Sequence, residues 1–168
     1  MLERSMRTLR RDTRGSALVE GAILIPVLFI LMYGVYEFSW FFYQQQLVST
    51  GVRDAARYLA RSPIDCDFPS AEWIAQEARA KSLAMTGAVA GGSPRVTGWT
   101  ADSIAIACTP VANPIGDDGL RAYRGGPVIH VVTVSTRFAE TSLGFFSLMR
   151  IGTPVVSASH SERRIGPG

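Results

Sequence analysis

Lysine is almost absent from this chain: Lys81 stands alone among seventeen basic residues. Histidine and cysteine are scarce too, with two of each in 168 residues. Cys66 and Cys108 lack the spacing of a zinc or redox motif. His130 and His160 each fall in a candidate strand without a Cys or His companion, which favours packed or surface histidines over metal ligands or bases. Asp117-Asp118 lacks the spaced oxygens of a calcium loop and reads as a solvated turn. No nucleophile–base pair, metal cluster or phosphate loop stands out. The expectation is a non-enzyme with no cofactor and no metal.

The formal charge is +3, which raises the question of a nucleic-acid partner. The placement of the charges answers it. Arg4, Arg7, Arg10, Arg11 and Arg14 face only Glu3 and Asp12 within residues 1–15, and that segment carries the whole +3. The twelve basic and twelve acidic side chains that follow cancel. A neutral body offers no phosphate-tracking surface, so no nucleic acid is expected as a partner. Arg10-Arg11 is followed by polar Asp12-Thr13-Arg14, unlike a twin-arginine export signal, which turns apolar there.

The one long apolar run is Ala17–Val35, interrupted by Glu20, Gly21, Pro26 and Gly34. As a helix it covers about 28 Å, close to the hydrocarbon thickness of a bilayer. It leads into an aromatic cluster, Tyr33, Tyr36, Trp40 and Tyr43, of the kind that marks a membrane interface. No small-residue cleavage site follows it, so it reads as an anchor rather than a removed secretory signal. The arginines before it place residues 1–15 in the cytoplasm by the positive-inside rule.

Residues 37–61 contain no proline and one glycine, Gly51. Phe38, Phe41, Phe42, Val48, Val52, Ala55, Ala56 and Leu59 recur at spacings of three and four, an amphipathic stripe. Pro63 stops it. One helix from about Ser16 to Arg61 is therefore expected, roughly 70 Å long.

Beyond Pro63, Ser70 is a candidate N-cap for a helix from Ala71 to about Met85, with Trp73, Ile74, Ala78 and Leu83 as its apolar side. Gly87 and Gly91-Gly92-Ser93-Pro94 end it. Three or four strands follow: a weak one at Val96–Thr100, then Ser103–Thr109, Val128–Phe138 and Val155–Ser161. Residues 110–127 read as a long polar loop, and Phe145, Phe146, Leu148 and Met149 as a short apolar patch. The fold class expected is α+β, pilin-like: a long N-terminal helix, then a helix and a 3–4-stranded antiparallel sheet. The divisions expected are 1–15 leader, 16–36 transmembrane helix, 37–62 amphipathic extension and 63–168 extracytoplasmic domain. In that compartment a Cys66–Cys108 disulfide is the natural pairing. It would be worth ~4 kcal/mol in the chain-entropy account; two buried free thiols are the alternative.

The most informative stretch is Arg14-Gly15-Ser16-Ala17-Leu18-Val19-Glu20. Glycine lets a backbone approach a protease closely in extended form. A carboxylate inside an apolar helix is costly and generally has a partner. This pattern resembles prepilins processed by prepilin peptidases. Together with Pro26, Gly34-Val35-Tyr36-Glu37-Phe38 and Ala55-Ala56-Arg57-Tyr58, it resembles more closely the TadE-like pseudopilins, minor pilins of Tad (Flp, tight-adherence) pilus systems. Val155-Val156-Ser157-Ala158-Ser159-His160-Ser161-Glu162 is similar to that family's closing strand.

The resemblance implies cleavage between Gly15 and Ser16, with Glu20 as the recognition and assembly residue. It would pair with the new amine of a neighbouring subunit. Glu37 continues the long helix and is a candidate secondary polar contact, or simply an interfacial carboxylate. Implied partners are a prepilin peptidase, other Tad pilins and pseudopilins, the inner-membrane assembly platform and the lipid bilayer. The implied location is the bacterial inner membrane, single-pass, with the C-terminal domain periplasmic, and incorporation into an extracellular pilus as a further step. Gly21 departs from the pattern, which places a bulky apolar residue after the glutamate. The competing reading is an unprocessed, signal-anchored envelope protein with a periplasmic partner-binding domain.

Overall fold

The computed structural model describes residues 13–63, 70–150 and 152–165. Helix α1 spans Thr13–Ala60, 48 residues without interruption, with Pro26 inside it. The chain divides into two compact units, Met1–Trp40 and Phe41–Gly168.

In the first unit, α1 exposes nearly every side chain from Ala17 to Trp40; Gly34 and Glu37 are the buried exceptions. Leu, Ile, Val, Phe and Met point outward on all sides. Such a helix is suited to an apolar solvent rather than to water. Pro26 removes one backbone donor, a loss that membrane-type helices tolerate.

In the second unit the same helix turns one face inward. Gln44, Val48, Gly51, Val52, Ala55, Ala56, Leu59 and Ala60 are buried. Phe41 packs on the core edge, whereas Phe42, which the stripe includes, is exposed. Helix α2 spans Ala71–Thr86, capped by Ser70, whose hydroxyl accepts from the Trp73 amide at 3.0 Å, and closed by left-handed Gly87. The expected boundaries hold to one residue, but the inward face differs. Trp73, Ala80 and Ala84 are buried, while Ile74 and Ala78 are exposed. Small alanines face α1 because the two helices approach closely. A Cβ on Gly51 would meet the Ala84 carbonyl oxygen and come within 2.8 Å of Trp99 Cη2.

The sheet has three antiparallel strands in the order β1 (Ile104–Ala112), β2 (Val128–Ala139), β3 (Val155–Arg163). Its register pairs Cys108 with Val132 and Val134 with His160. Val132, Val134 and Val156 join Val48, Val52, Ala55, Ala56 and Leu59 in one core with Trp73 and Trp99.

The weak strand expected at Val96–Thr100 is not a strand. It forms an irregular turn around Gly98, at φ 82°, followed by a 3₁₀ turn at Ala101–Ser103. Trp99 decides this: its indole donates to Thr136 Oγ1 at 3.0 Å and its ring stacks on Phe138. A buried indole N–H needs a partner, and the turn supplies the reach. β1 in turn runs past Pro110, where the expectation stopped. On an edge strand a proline sacrifices only a donor that the sheet does not use. The long loop is anchored by fully buried Asn113, whose amide donates to the Tyr123 and Gly126 carbonyls and accepts from the Tyr123 amide.

Candidate processing and assembly site

Gly15, Ser16 and Glu20 all lie on α1, and all three are exposed. Ser16 and Glu20 are four residues apart and share one face of the helix. Ala17, Leu18 and Val19 lie between them, with Ala22, Ile23 and Leu24 beyond. The Glu20 carboxylate is therefore the one acidic group on an otherwise apolar surface from Gly15 to Tyr36. An added Cβ at Gly15 or at Gly21 would meet nothing within 4 Å. Packing among the described residues places no demand on either glycine, in contrast with Gly51. Residues 1–12 of the basic leader lie outside the described residues.

Glu37 differs from Glu20 in every respect. It is buried and shares a side-chain hydrogen bond with Tyr33, one turn earlier. Burial distinguishes it from a freely solvated interfacial carboxylate. Among the described residues α1 is the helix long and apolar enough to cross a membrane.

The cysteine pairing expected from the sequence involves Cys66, which lies outside the described residues. Cys108 sits on β1 with its side chain against the core, and no cysteine is free among the described residues.

His130 is half-buried, and its carbonyl accepts from the Arg164 amide. His160 Nε2 lies 2.9 Å from Glu162 Oε1, and Arg57 Nε approaches the same oxygen at 3.4 Å. The contact with His160, followed by Arg57, holds the Glu162 carboxyl below its ordinary pKa. This cluster ties the last strand to α1. Sequence reasoning missed it because Arg57 lies 105 residues before Glu162. It also missed the Arg95–Asp54 ion pair at 3.1 Å. Asp118 Oδ1 accepts from the Leu120 amide and closes a turn. Among the described residues no group of three or more His, Cys, Asp or Glu side chains converges to hold a metal ion.

The family model of the TadE-like proteins matches residues 15–57. No curated protein and no solved structure matches the chain. The matched segment begins at the glycine of the candidate processing motif and ends on Arg57, the residue that contacts the last strand. Across that segment the chain is similar to the TadE-like proteins.

Proposed function

We propose that this protein is a minor pilin of a Tad-type pilus, processed by a prepilin peptidase between Gly15 and Ser16. The observation that carries the proposal is the combination at the start of α1. A glycine with no packing role precedes, by five residues, one exposed carboxylate on an apolar surface, inside the segment that matches the TadE-like family. Cleavage turns Ser16 into a free ammonium. Glu20 of a neighbouring subunit pairs with it as the helices pack side by side, and the pairing sets their register. A charge pair is worth most where water is excluded, which is why an apolar helix surface suits it.

In this reading residues 16–36 cross the inner membrane, the arginine-rich leader stays in the cytoplasm and the C-terminal domain lies outside it. There Cys66 joins Cys108. Cleavage also removes the net charge of the chain, so the assembled subunit is neutral. The partners are the peptidase, other pilins and pseudopilins, and the assembly platform.

Co-expression with a prepilin peptidase followed by N-terminal sequencing tests the cut. Ser16 is the expected first residue, and a mature protein that keeps Met1 would overturn the reading. Gly15→Arg is expected to leave the precursor uncut. Glu20→Ala is expected to leave membrane insertion intact and to abolish assembly; normal piliation in that variant would refute the register role. Mass analysis without reductant is expected to recover Cys66 linked to Cys108.

A further inference from the structure

The β1–β2 connection, residues 113–127, is long but internally built. Buried Asn113 holds its base, where the Asn113 amide donates to the Pro127 carbonyl at 2.8 Å. Its outer part is a small hairpin. Ile115 bridges Arg121, the Gly116 amide donates to the Leu120 carbonyl at 2.7 Å, and Asp118 Oδ1 accepts from the Leu120 amide. So fixed, the hairpin turns apolar side chains outward. Ile115 is 60% exposed and Leu120 68%. Asp117 and Asp118 between them are exposed as well. Arg121 directs its guanidinium back onto the Asn113 carbonyl, so the tip from Ile115 to Leu120 carries two negative charges. These outward apolar groups add nothing to the core. On an ordered loop they suit recognition, because little freedom is lost on binding.

A complementary surface lies within the same unit, Phe41–Gly168. A cleft of about 520 Å³ between the end of α1 and α2 is lined by Arg57, Tyr58, Arg61, Pro63, Gln76 and Leu83. Tyr58, Pro63 and Leu83 give it apolar surface, and the Tyr58 hydroxyl is held by Gln76 Oε1 at 2.6 Å. Asp54 also borders it, with its carboxylate taken by Arg95. Arg57 and Arg61 sit one turn apart on α1 and make the cleft basic. Arg57 shares Glu162 with His160. Arg61 is exposed and has no ion pair among the described residues, and the same is true of Asp117. Tip and cleft lie at one end of the unit. Arg163 holds its guanidinium 4.6 Å over the Tyr123 ring in the connection, while the next residue, Arg164, donates to the Ser62 carbonyl just past α1. Leu120 and Arg61 are both exposed within one chain, so the tip does not fill its own cleft.

We propose that the Ile115–Leu120 tip of one copy docks into the Arg57–Arg61 cleft of a second copy of this chain. Leu120 then lies against Tyr58 and Leu83, and Asp117 pairs with Arg61. The occupant is chosen by complementarity: an apolar tip with two free carboxylates meets an apolar cleft with an unpaired guanidinium, and opposite charges fix the register. Because both elements share one end of the unit, a two-fold axis lets each copy give a tip and receive one, and the contact closes on itself. It is small even when doubled, at the weak end of protein interfaces, and acts where copies are already concentrated. It does not depend on the cut at Gly15.

The test mixes two preparations of the full chain in detergent, one isotopically light and one heavy. The light chain carries Leu120→benzoylphenylalanine, is irradiated, and the joined peptides are identified by mass. The expected product links light position 120 to heavy-chain residues 54–63 or 76–83. Arg61→Glu in the heavy chain is expected to cut its yield at least about threefold, as is Asp117→Arg in the light chain, and the two together to restore it. Both positions are exposed, so neither change disturbs the core. Links confined to the light chain, links to another surface of the heavy chain, or no light–heavy link at all would each overturn the proposal. So would a yield indifferent to both charge reversals. In cells, a link from position 120 to a different envelope protein in place of a second copy would assign the tip to that partner, and would also overturn it.

Discussion

The two parts of α1 are one helix with two kinds of surface. From Ala17 to Trp40 its large apolar side chains face outward all round. From Phe41 to Ala60 one face is buried to zero exposure at Val48, Val52, Ala55, Ala56 and Leu59, and the other carries Arg53 and Arg57. The backbone is the same; the side chains and their surroundings differ. Stability of the second unit therefore depends on the second part of the helix, which carries the buried face.

Matched substitutions test that division, and the largest effect is expected from cavities. Leu59→Ala removes a fully buried side chain and should cost about 2–5 kcal/mol. Leu24→Ala, on the outward-facing part, should leave domain unfolding unchanged. Thermal unfolding of the full chain in detergent, followed through Trp73 and Trp99 emission, separates them. Equal losses in the two variants would break the comparison.

The two glycines give the next contrast. Gly51→Ala gains up to ~1 kcal/mol of helix propensity. It also drives a methyl into the Ala84 carbonyl and Trp99, so net destabilisation of about 1–3 kcal/mol is expected. Gly21→Ala meets nothing and should leave the unfolding transition in place. A stabilised Gly51→Ala protein would show that α1 and α2 can separate at no cost.

The smallest effect expected is electrostatic. Glu162 has a folded pKa below its ordinary value of 4.5, held there by His160 and then by Arg57. Its contribution to stability is thus present above about pH 4.5, and is lost as pH falls through the lower folded value. Glu162→Gln should flatten that acid limb slightly and leave stability near neutrality little changed, because the cluster is solvent-screened. An acid limb identical to that of the parent would remove Glu162 from the link between β3 and α1.

Much of the fold was legible in the chain because its signals are local. Apolar length set α1, Ser70 and Gly87 bracketed α2, and β-branched runs marked β2 and β3. What misled was also local. Pro110 looked like a strand end because its edge position was invisible, and Val96–Thr100 looked like a strand because the partner of Trp99 lies on β2. Ile74 and Ala78 were placed inward by periodicity, but the close approach at Gly51 turns the small residues Ala80 and Ala84 toward α1 instead. The candidate site was legible to the extent that Gly15, Ser16 and Glu20 form a contiguous pattern.

The sequence by itself determined the apolar run, the N-terminal segment that carries all the net charge, and the isolated Glu20, because composition and spacing along one helix need no partner to be read. Tertiary structure alone decided that Gly51 is a contact point, that Asn113 organises the long loop, and that Arg57, His160 and Glu162 meet. Each of these depends on residues brought together from distant parts of the chain, and only packing sets those distances.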